Sequence, residues 1–272
     1  MTEKVGDGRP GCVVAGLELG PGKVEGVLGR IGYCGVREAG AGSLRALHEA
    51  FILAVPFENL DIMKGRRVRL EVGAFYEKIV KQGRGGFCYE LNGLFAALLV
   101  NLGFDVTLLS ARVIGEDGVL GPEFDHLVLL VKTPERWLAD VGFGSSFRLP
   151  LKLDEEGEQA DFRCSYRLGR SREEITVYQK RLLEGEWFRE YIFTLKPRRL
   201  GEFAATCLWQ QTSPDSSFVR LRFCTLGTRT GRVTLMGNRL IVTHEGRRVV
   251  RDIEEREVAG ILKEHFGIEE GG

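Results

Sequence analysis

The chain has 272 residues, 43% hydrophobic and 28% charged, a composition that predicts an ordinary globular fold. Lysine plus arginine equals aspartate plus glutamate, 38 against 38, which excludes a global field drawing the protein to nucleic acid or anionic lipid. No apolar run approaches the roughly 20 residues that span a bilayer, so no membrane partner is expected.

Met1–Gly20 lacks a basic segment followed by an apolar one, so it reads as a flexible extension and not a secretion signal. Pro21–Tyr33 predicts an amphipathic helix with Val24, Val27, Leu28 and Ile31 on one side. Ser43 is placed to cap a second helix through Ala54, with Leu44, Leu47 and Phe51 as its stripe and Pro56 as its stop. Val72–Lys81 predicts a third helix. Cys88–Leu102 predicts a fourth, with Leu91, Leu94, Phe95, Leu98, Leu99 and Leu102 facing a core and Gly103 ending it.

The apolar period then changes to two. Asp105–Val113, His126–Val131, Arg136–Val141, Arg163–Leu168, Glu174–Lys180, Phe188–Thr194, Phe218–Thr225 and Arg232–Met236 read as strands. Leu240–His244 and Arg247–Val250 flank the turn Glu245-Gly246 as a hairpin, and Glu254–Phe266 closes the chain as a helix. The order is a helical block, a β-rich block and a smaller α/β block.

The six cysteines, Cys12, Cys34, Cys88, Cys164, Cys207 and Cys224, are scattered and form no Cys-x-x-Cys pair. That argues against a disulfide framework and against a metal site, and for a reducing cytoplasm. Cys88 stands apart because it follows Gly83-Arg84-Gly85-Gly86-Phe87 and opens the strongest helix. Unpaired N–H groups and the helix dipole favour a thiolate there, and the flanking glycines allow a sharp turn and close approach of a ligand. The plain alternative is a small, inert, buried thiol.

His126 opens a strand and is the candidate base. His48, on a surface-like helix, His244 near a turn and His265 on the last helix read as structural. With Lys132-Thr133-Pro134 as a hairpin loop, Val131 faces Glu135 and His126 falls opposite Asp140, within reach of a hydrogen bond. Cys, His and Asp together have the parts needed for covalent acyl transfer. Arg84 and Glu58 are candidate supports, forming a buried ion pair that fixes the turn before Cys88. Gly142-Phe143-Gly144-Ser145-Ser146 reads first as a β-turn.

The stretch Arg84-Gly85-Gly86-Phe87-Cys88-Tyr89-Glu90-Leu91-Asn92-Gly93, with His126 and Asp140-Val141-Gly142-Phe143-Gly144, resembles the arylamine N-acetyltransferases. Val55-Pro56-Phe57-Glu58-Asn59-Leu60, Phe193–Arg198 and Gln211–Phe218 extend the resemblance over nearly the whole chain. It implies an α+β fold: a helical bundle (21–104) carrying the nucleophile, a β-barrel (105–205) carrying His and Asp, and an α/β lid (206–272). It implies a ping-pong reaction in which Cys88 takes an acetyl group from acetyl-CoA as cosubstrate. The group passes to an arylamine, hydrazine or N-hydroxyarylamine, with no metal. Phe143, Val113 and Phe124 would line the acceptor pocket. Trp209, Asp215, Ser216, Gly144 and Ser145 would lie at the CoA site. A homo-oligomer is compatible with the sequence. Competing readings are an amide synthase fed by a carrier-bound polyketide, a cysteine hydrolase or transglutaminase, and a non-catalytic binding protein.

Overall fold

The computed structural model describes residues 16–115, 117–145, 147–162, 164–181 and 185–269. The first part is helical: α1 (Lys23–Arg30), α2 (Ala41–Ala54), α3 (Leu60–Met63), α4 (Val72–Tyr76) and α5 (Cys88–Asn101), with the short strand β1 (Phe57–Glu58) between α2 and α3. α5 is the central helix, and every residue from Cys88 to Leu99 is buried. Each fully buried leucine or phenylalanine on it contributes about 1.5–3 kcal/mol, so packing, not propensity, holds this helix.

Three expectations change here. Gly40, not Ser43, takes the N-cap position of α2, and Ser43 lies in the first turn, where its Oγ accepts the Gly40 N–H at 3.2 Å. The predicted helix over Val72–Lys81 is two pieces, because after Tyr76 residues Glu77–Lys81 widen into a π-helix. Of the predicted flexible extension, residues 1–15 lie outside the described residues. Leu17 and Leu19 are buried in the helical core, and the Leu17 carbonyl accepts from Asn101 Nδ2 at 3.2 Å, so the chain is packed from there on.

The middle of the chain forms an antiparallel eight-stranded sheet. Its strands are β2 (Asp105–Val113), β3 (His126–Lys132), β4 (Arg136–Ala139), β5 (Leu151–Lys152), β6 (Gln159–Asp161), β7 (Cys164–Ser171), β8 (Glu174–Arg181) and β9 (Trp187–Thr194). Their order in the sheet is β5-β4-β3-β2-β9-β8-β7-β6. The Gln159 side chain bridges the two end strands, accepting the Lys152 N–H at 2.7 Å and donating to its carbonyl at 2.9 Å, which nearly closes a barrel. β3 is buried on both faces: Leu127, Leu129 and Val131 pack with α5, while Val128 and Leu130 enter the barrel core. Two-sided burial explains its unbroken apolar run.

A 3₁₀ turn (Leu200–Phe203) leads into α6 (Ala204–Thr212) and α7 (Ser217–Arg220). The last part is the antiparallel sheet β1-β10-β11-β12-β13, from β10 (Phe223–Thr228), β11 (Gly231–Met236), β12 (Arg239–His244) and β13 (Arg247–Asp252), with α8 (Glu255–Phe266) packed through Val258, Ile261, Leu262 and Phe266. The predicted strand Phe218–Thr225 begins only at Phe223. Ser216 caps α7 by accepting the Phe218 N–H, and Asn59 takes the carbonyls of Phe218 and Leu221. β1 is the hinge of the architecture: it pairs with β10 on one side and bridges to Gly86 on the other. The turn before Cys88 is thereby tied to the last sheet.

Candidate active site

Cys88 is the first residue of α5 and is 4% exposed. The turn that delivers it is built differently from expectation. The left-handed residue is Gly83 (φ 66°), while Gly85 serves close packing: a Cβ there would lie 2.0 Å from the Pro56 carbonyl oxygen. Glu58 N–H donates to the Gly86 carbonyl at 2.8 Å, so this segment packs along β1.

Below the turn lies a buried ion cluster. Arg84 donates to Glu58 Oε1 from Nε at 3.1 Å and Nη2 at 2.8 Å, and from Nη1 to Asp61 at 3.3 Å. Lys78 reaches Asp61 at 2.9 Å and Glu90 at 3.0 Å. Glu90 Oε2 in turn accepts the Phe87 N–H at 3.1 Å, capping α5. The Arg84–Glu58 pair read from the sequence is therefore part of a set of two cations and three carboxylates. Burial pushes Glu90 up to about 7 against the pull of Lys78.

His126 and Asp140 meet, but by another register. The ladder pairs Leu129 with Ala139 and Lys132 with Arg136, two residues off the predicted pairing, and it ends before Asp140. A shift of two keeps both side chains on the same face, so the diagonal pair still touches. His126 Nε2 lies 2.9 Å from Asp140 Oδ2. Because a carboxylate only accepts, Nε2 carries the proton and Nδ1 is left as the basic nitrogen.

The Asp140 carboxylate is fully buried and saturated with donors. Oδ1 accepts from Asn92 Nδ2 and Gly142 N–H, each at 2.9 Å, and Oδ2 also accepts from the Tyr191 hydroxyl at 3.1 Å. Burial works against its charge, but His126, Asn92 and Gly142 outweigh it and hold its pKa below the usual carboxylate value. Asn92 sits four residues after Cys88 on α5 and also donates to the Leu127 carbonyl at 2.6 Å. The Leu127 N–H faces the Cys88 sulfur. Gly142 packs against Cys88 itself, since a Cβ there would lie 2.9 Å from Cys88 Cα.

The helix end alone does not yield a thiolate. Burial pushes the Cys88 thiol up, Cys207 and the carboxylates of Asp125 and Asp140 add to it, and the Leu127 N–H opposes only in part. A lone sulfur anion is disfavoured in this site, so its proton needs an acceptor close by.

A sequence profile of the N-acetyltransferases matches residues 42–270. The chain belongs to the arylamine N-acetyltransferase family. An arylamine N-acetyltransferase of Mycolicibacterium smegmatis is 35% identical over 255 residues, covering 90% of this chain and 92% of its own. The Salmonella typhimurium arylamine N-acetyltransferase / N-hydroxyarylamine O-acetyltransferase is 34% identical over 232 residues, covering 83% and 82%. The Mycobacterium marinum arylamine N-acetyltransferase solved in complex with CoA superposes with a TM-score of 0.84 at 31% identity, covering 90% of this chain and 92% of that one.

Within this arylamine N-acetyltransferase family member, the expected acceptor residues divide. Phe143 joins His126 and Tyr191 in a triangle of rings with centroids 5.1–5.3 Å apart. Val113 ends β2 opposite Tyr191. Phe124, left-handed at φ 66°, turns its ring to Phe203 at 5.2 Å and lies under the Arg198 guanidinium. The expected CoA residues are also mixed. Trp209 is 47% exposed on α6 and so is not a core tryptophan, and Asp215 and Ser145 are exposed. Ser216 is buried, and its hydroxyl is committed to the Gln210 carbonyl at 2.7 Å. Gly144 packs beside Phe57 and Phe223, and its carbonyl accepts from Arg232 of β11.

Asn92, Tyr191, Lys78, Asp61 and Glu90 were not among the residues expected here, and His48, expected on a surface-like helix, is fully buried next to Asp140. Two signals were available. Asn92 is a polar residue inside an apolar helix, and His48 shares the helical stripe of Leu44 and Phe51. Among the described residues no group of three or more His, Cys, Asp or Glu could hold a metal ion, and no helix is long and apolar enough to cross a membrane.

Proposed function

We propose that the protein transfers an acetyl group from acetyl-CoA to an arylamine, hydrazine or N-hydroxyarylamine through a thioester on Cys88, in a ping-pong sequence. The observation that supports this reading most is the hydrogen-bonded chain from Asn92, on the helix that Cys88 opens, to Asp140 and on to His126. A buried carboxylate, held ionised by four donors, fixes an imidazole through Nε2–H and leaves Nδ1 as its unprotonated nitrogen.

In the first half, the Cys88 proton passes to His126 Nδ1 and the sulfur attacks the thioester carbonyl. Transfer within the pair leaves it net neutral, which removes much of the burial penalty that a lone thiolate meets. Asp140 supports the imidazolium across Nε2–H. The Cys88 N–H, at a helix position without an intrahelical acceptor, can donate to the developing oxyanion. Collapse breaks the bond to CoA sulfur, which leaves with the proton from His126. In the second half the neutral amine attacks the acetyl-Cys88 carbonyl. It gives a proton to His126, and Cys88 departs and is reprotonated.

Arg84 and Glu58 support the turn. Phe143 with Val113 forms an apolar wall for a flat amine beside His126, with Phe124 further along. Trp209, Asp215, Ser145 and Gly144 lie where CoA would run, and Ser216 contributes by shaping the turn. We place the enzyme in the cytoplasm, since Cys34, Cys88, Cys207 and Cys224 are free thiols and the reaction requires Cys88 reduced. The test is release of CoA from acetyl-CoA without acceptor. A burst close to one CoA per protein, and parallel double-reciprocal lines when amine is added, support the reading. CoA release only in the presence of amine, with intersecting lines, contradicts it.

A further inference from the structure

His48 takes no part in these proton transfers, yet it is fully buried on α2 against Asp140, the acid that supports the imidazolium. Its Nε2 accepts the backbone N–H of Asp140 at 3.1 Å, and its Nδ1 lies 2.9 Å from the Arg148 carbonyl oxygen. A backbone N–H can only donate and a carbonyl can only accept. The two contacts therefore specify one state of the ring, neutral with its proton on Nδ1. Phe147 stacks on the ring at 5.7 Å and 11°, and Phe95 meets it edge-on at 5.7 Å, which fixes its plane.

The position of Asp140 gives this contact its meaning. The β3–β4 ladder stops at Ala139, so no strand takes the N–H groups of Asp140 and Val141. Side chains from two helices take them instead: His48 from α2, and Asn92 from α5 through Oδ1 at 2.9 Å. We propose that His48 is a positioning residue for the reaction: by accepting the Asp140 N–H it sets the backbone from which the carboxylate is aimed at His126. The consequence for catalysis rests on the triad reading above; the geometry does not. The charged groups facing the ring are few. The Asp140 carboxylate is one. The Arg148 guanidinium turns away to the carbonyls of Thr228 and Arg229, with Glu49 at 4.0 Å. Burial drives the ring down to about 4, so it stays a neutral acceptor at working pH.

Two measurements test this. In wild-type protein with ¹⁵N-labelled histidine, the signal lost in His48→Gln should report a ring that does not titrate between about pH 5.5 and 8 and is protonated on Nδ1. Titration in that range, or a proton on Nε2, overturns the proposal. His48→Phe keeps the ring stack but cannot accept the N–H. It should lower kcat/KM for acetyl transfer ~10- to 100-fold through misplacement of the reacting groups. It should also move the acid limb of Cys88 alkylation down by roughly 0.5 pH unit or more, as the imidazolium loses support. His48→Gln, which offers an amide acceptor and donor, should recover most of both. A folded His48→Phe with the wild-type pH profile, or a Gln variant no better than Phe, overturns the proposal. If His48→Phe does not fold, the labelled ring and the Gln variant still decide. Failure of the triad reading looks different: wild-type protein would show no acetyl group on Cys88 while the His48 tautomer stood unchanged.

Discussion

Asn92 lies one helical turn beyond Cys88 and donates to the Asp140 carboxylate at 2.9 Å, so the helix that presents the sulfur also anchors the acid that orients the imidazole. Asn92→Ala strips partners from Asp140 Oδ1, the Leu127 carbonyl and the Val141 N–H. Leaving such buried groups unpaired should cost about 2–4 kcal/mol in urea unfolding and lower acetyl transfer in parallel. A loss under about 0.5 kcal/mol would mean that water or rearrangement replaces the amide without cost.

Arg84 is the cation through which the turn before Cys88 grips Glu58 and Asp61. Arg84→Met removes the closest cation from a buried pair and should destabilise the protein by about 2–4 kcal/mol, because Glu58 keeps only the more distant Lys78 at 3.9 Å. Cys88 alkylation should slow as well. If neither unfolding nor alkylation changes, Arg84 is not a support of the site.

Glu90 is the carboxylate in excess in the cluster of Lys78, Arg84, Glu58, Asp61 and Glu90. Its folded pKa is raised to about 7, so between its unfolded value and 7 the folded protein binds the proton more readily. The stability it contributes is fully present below the unfolded value and is lost as pH rises toward 7. Glu90→Gln removes this slope while keeping an acceptor for the Phe87 N–H. From pH 5.5 to 7.5 the wild type should lose about 2 kcal/mol relative to the Gln variant. Parallel stability curves for the two proteins would contradict the assignment.

Gly142 touches Cys88 with no room for a methyl group. Gly142→Ala should cost about 1–3 kcal/mol through overpacking, and should reduce acetyl transfer more than the folded fraction explains. A variant as stable and active as wild type would show that the turn gives way without disturbing Cys88.

Much of this site was legible because its chemistry is local in sequence. Cys88 follows a glycine turn into an apolar helix, and Asp140 sits in an apolar strand context where an acid needs partners. The parity of β3 and β4 was readable, while their register was not: moving the hairpin loop by one residue shifts every pair by two without changing which faces meet. Contacts across distant elements were the hidden part. His48 looks like any polar residue on a helix until α2 is laid against the turn after β4, and Ser216 looks like a strand neighbour until it caps α7. β1, two residues long, carries no periodicity, yet it joins the Cys88 turn to the last sheet.

In the proposed reaction the Cys88 sulfur carries the acetyl group, with His126 and Asp140 making it a nucleophile. Intact-protein and peptide mass spectrometry after mixing with acetyl-CoA alone tests this most directly. One acetyl group on the peptide containing Cys88, discharged on adding an arylamine and absent in Cys88→Ala and in His126→Ala, is the predicted result. An unmodified Cys88 in a protein that still acetylates an arylamine would contradict it.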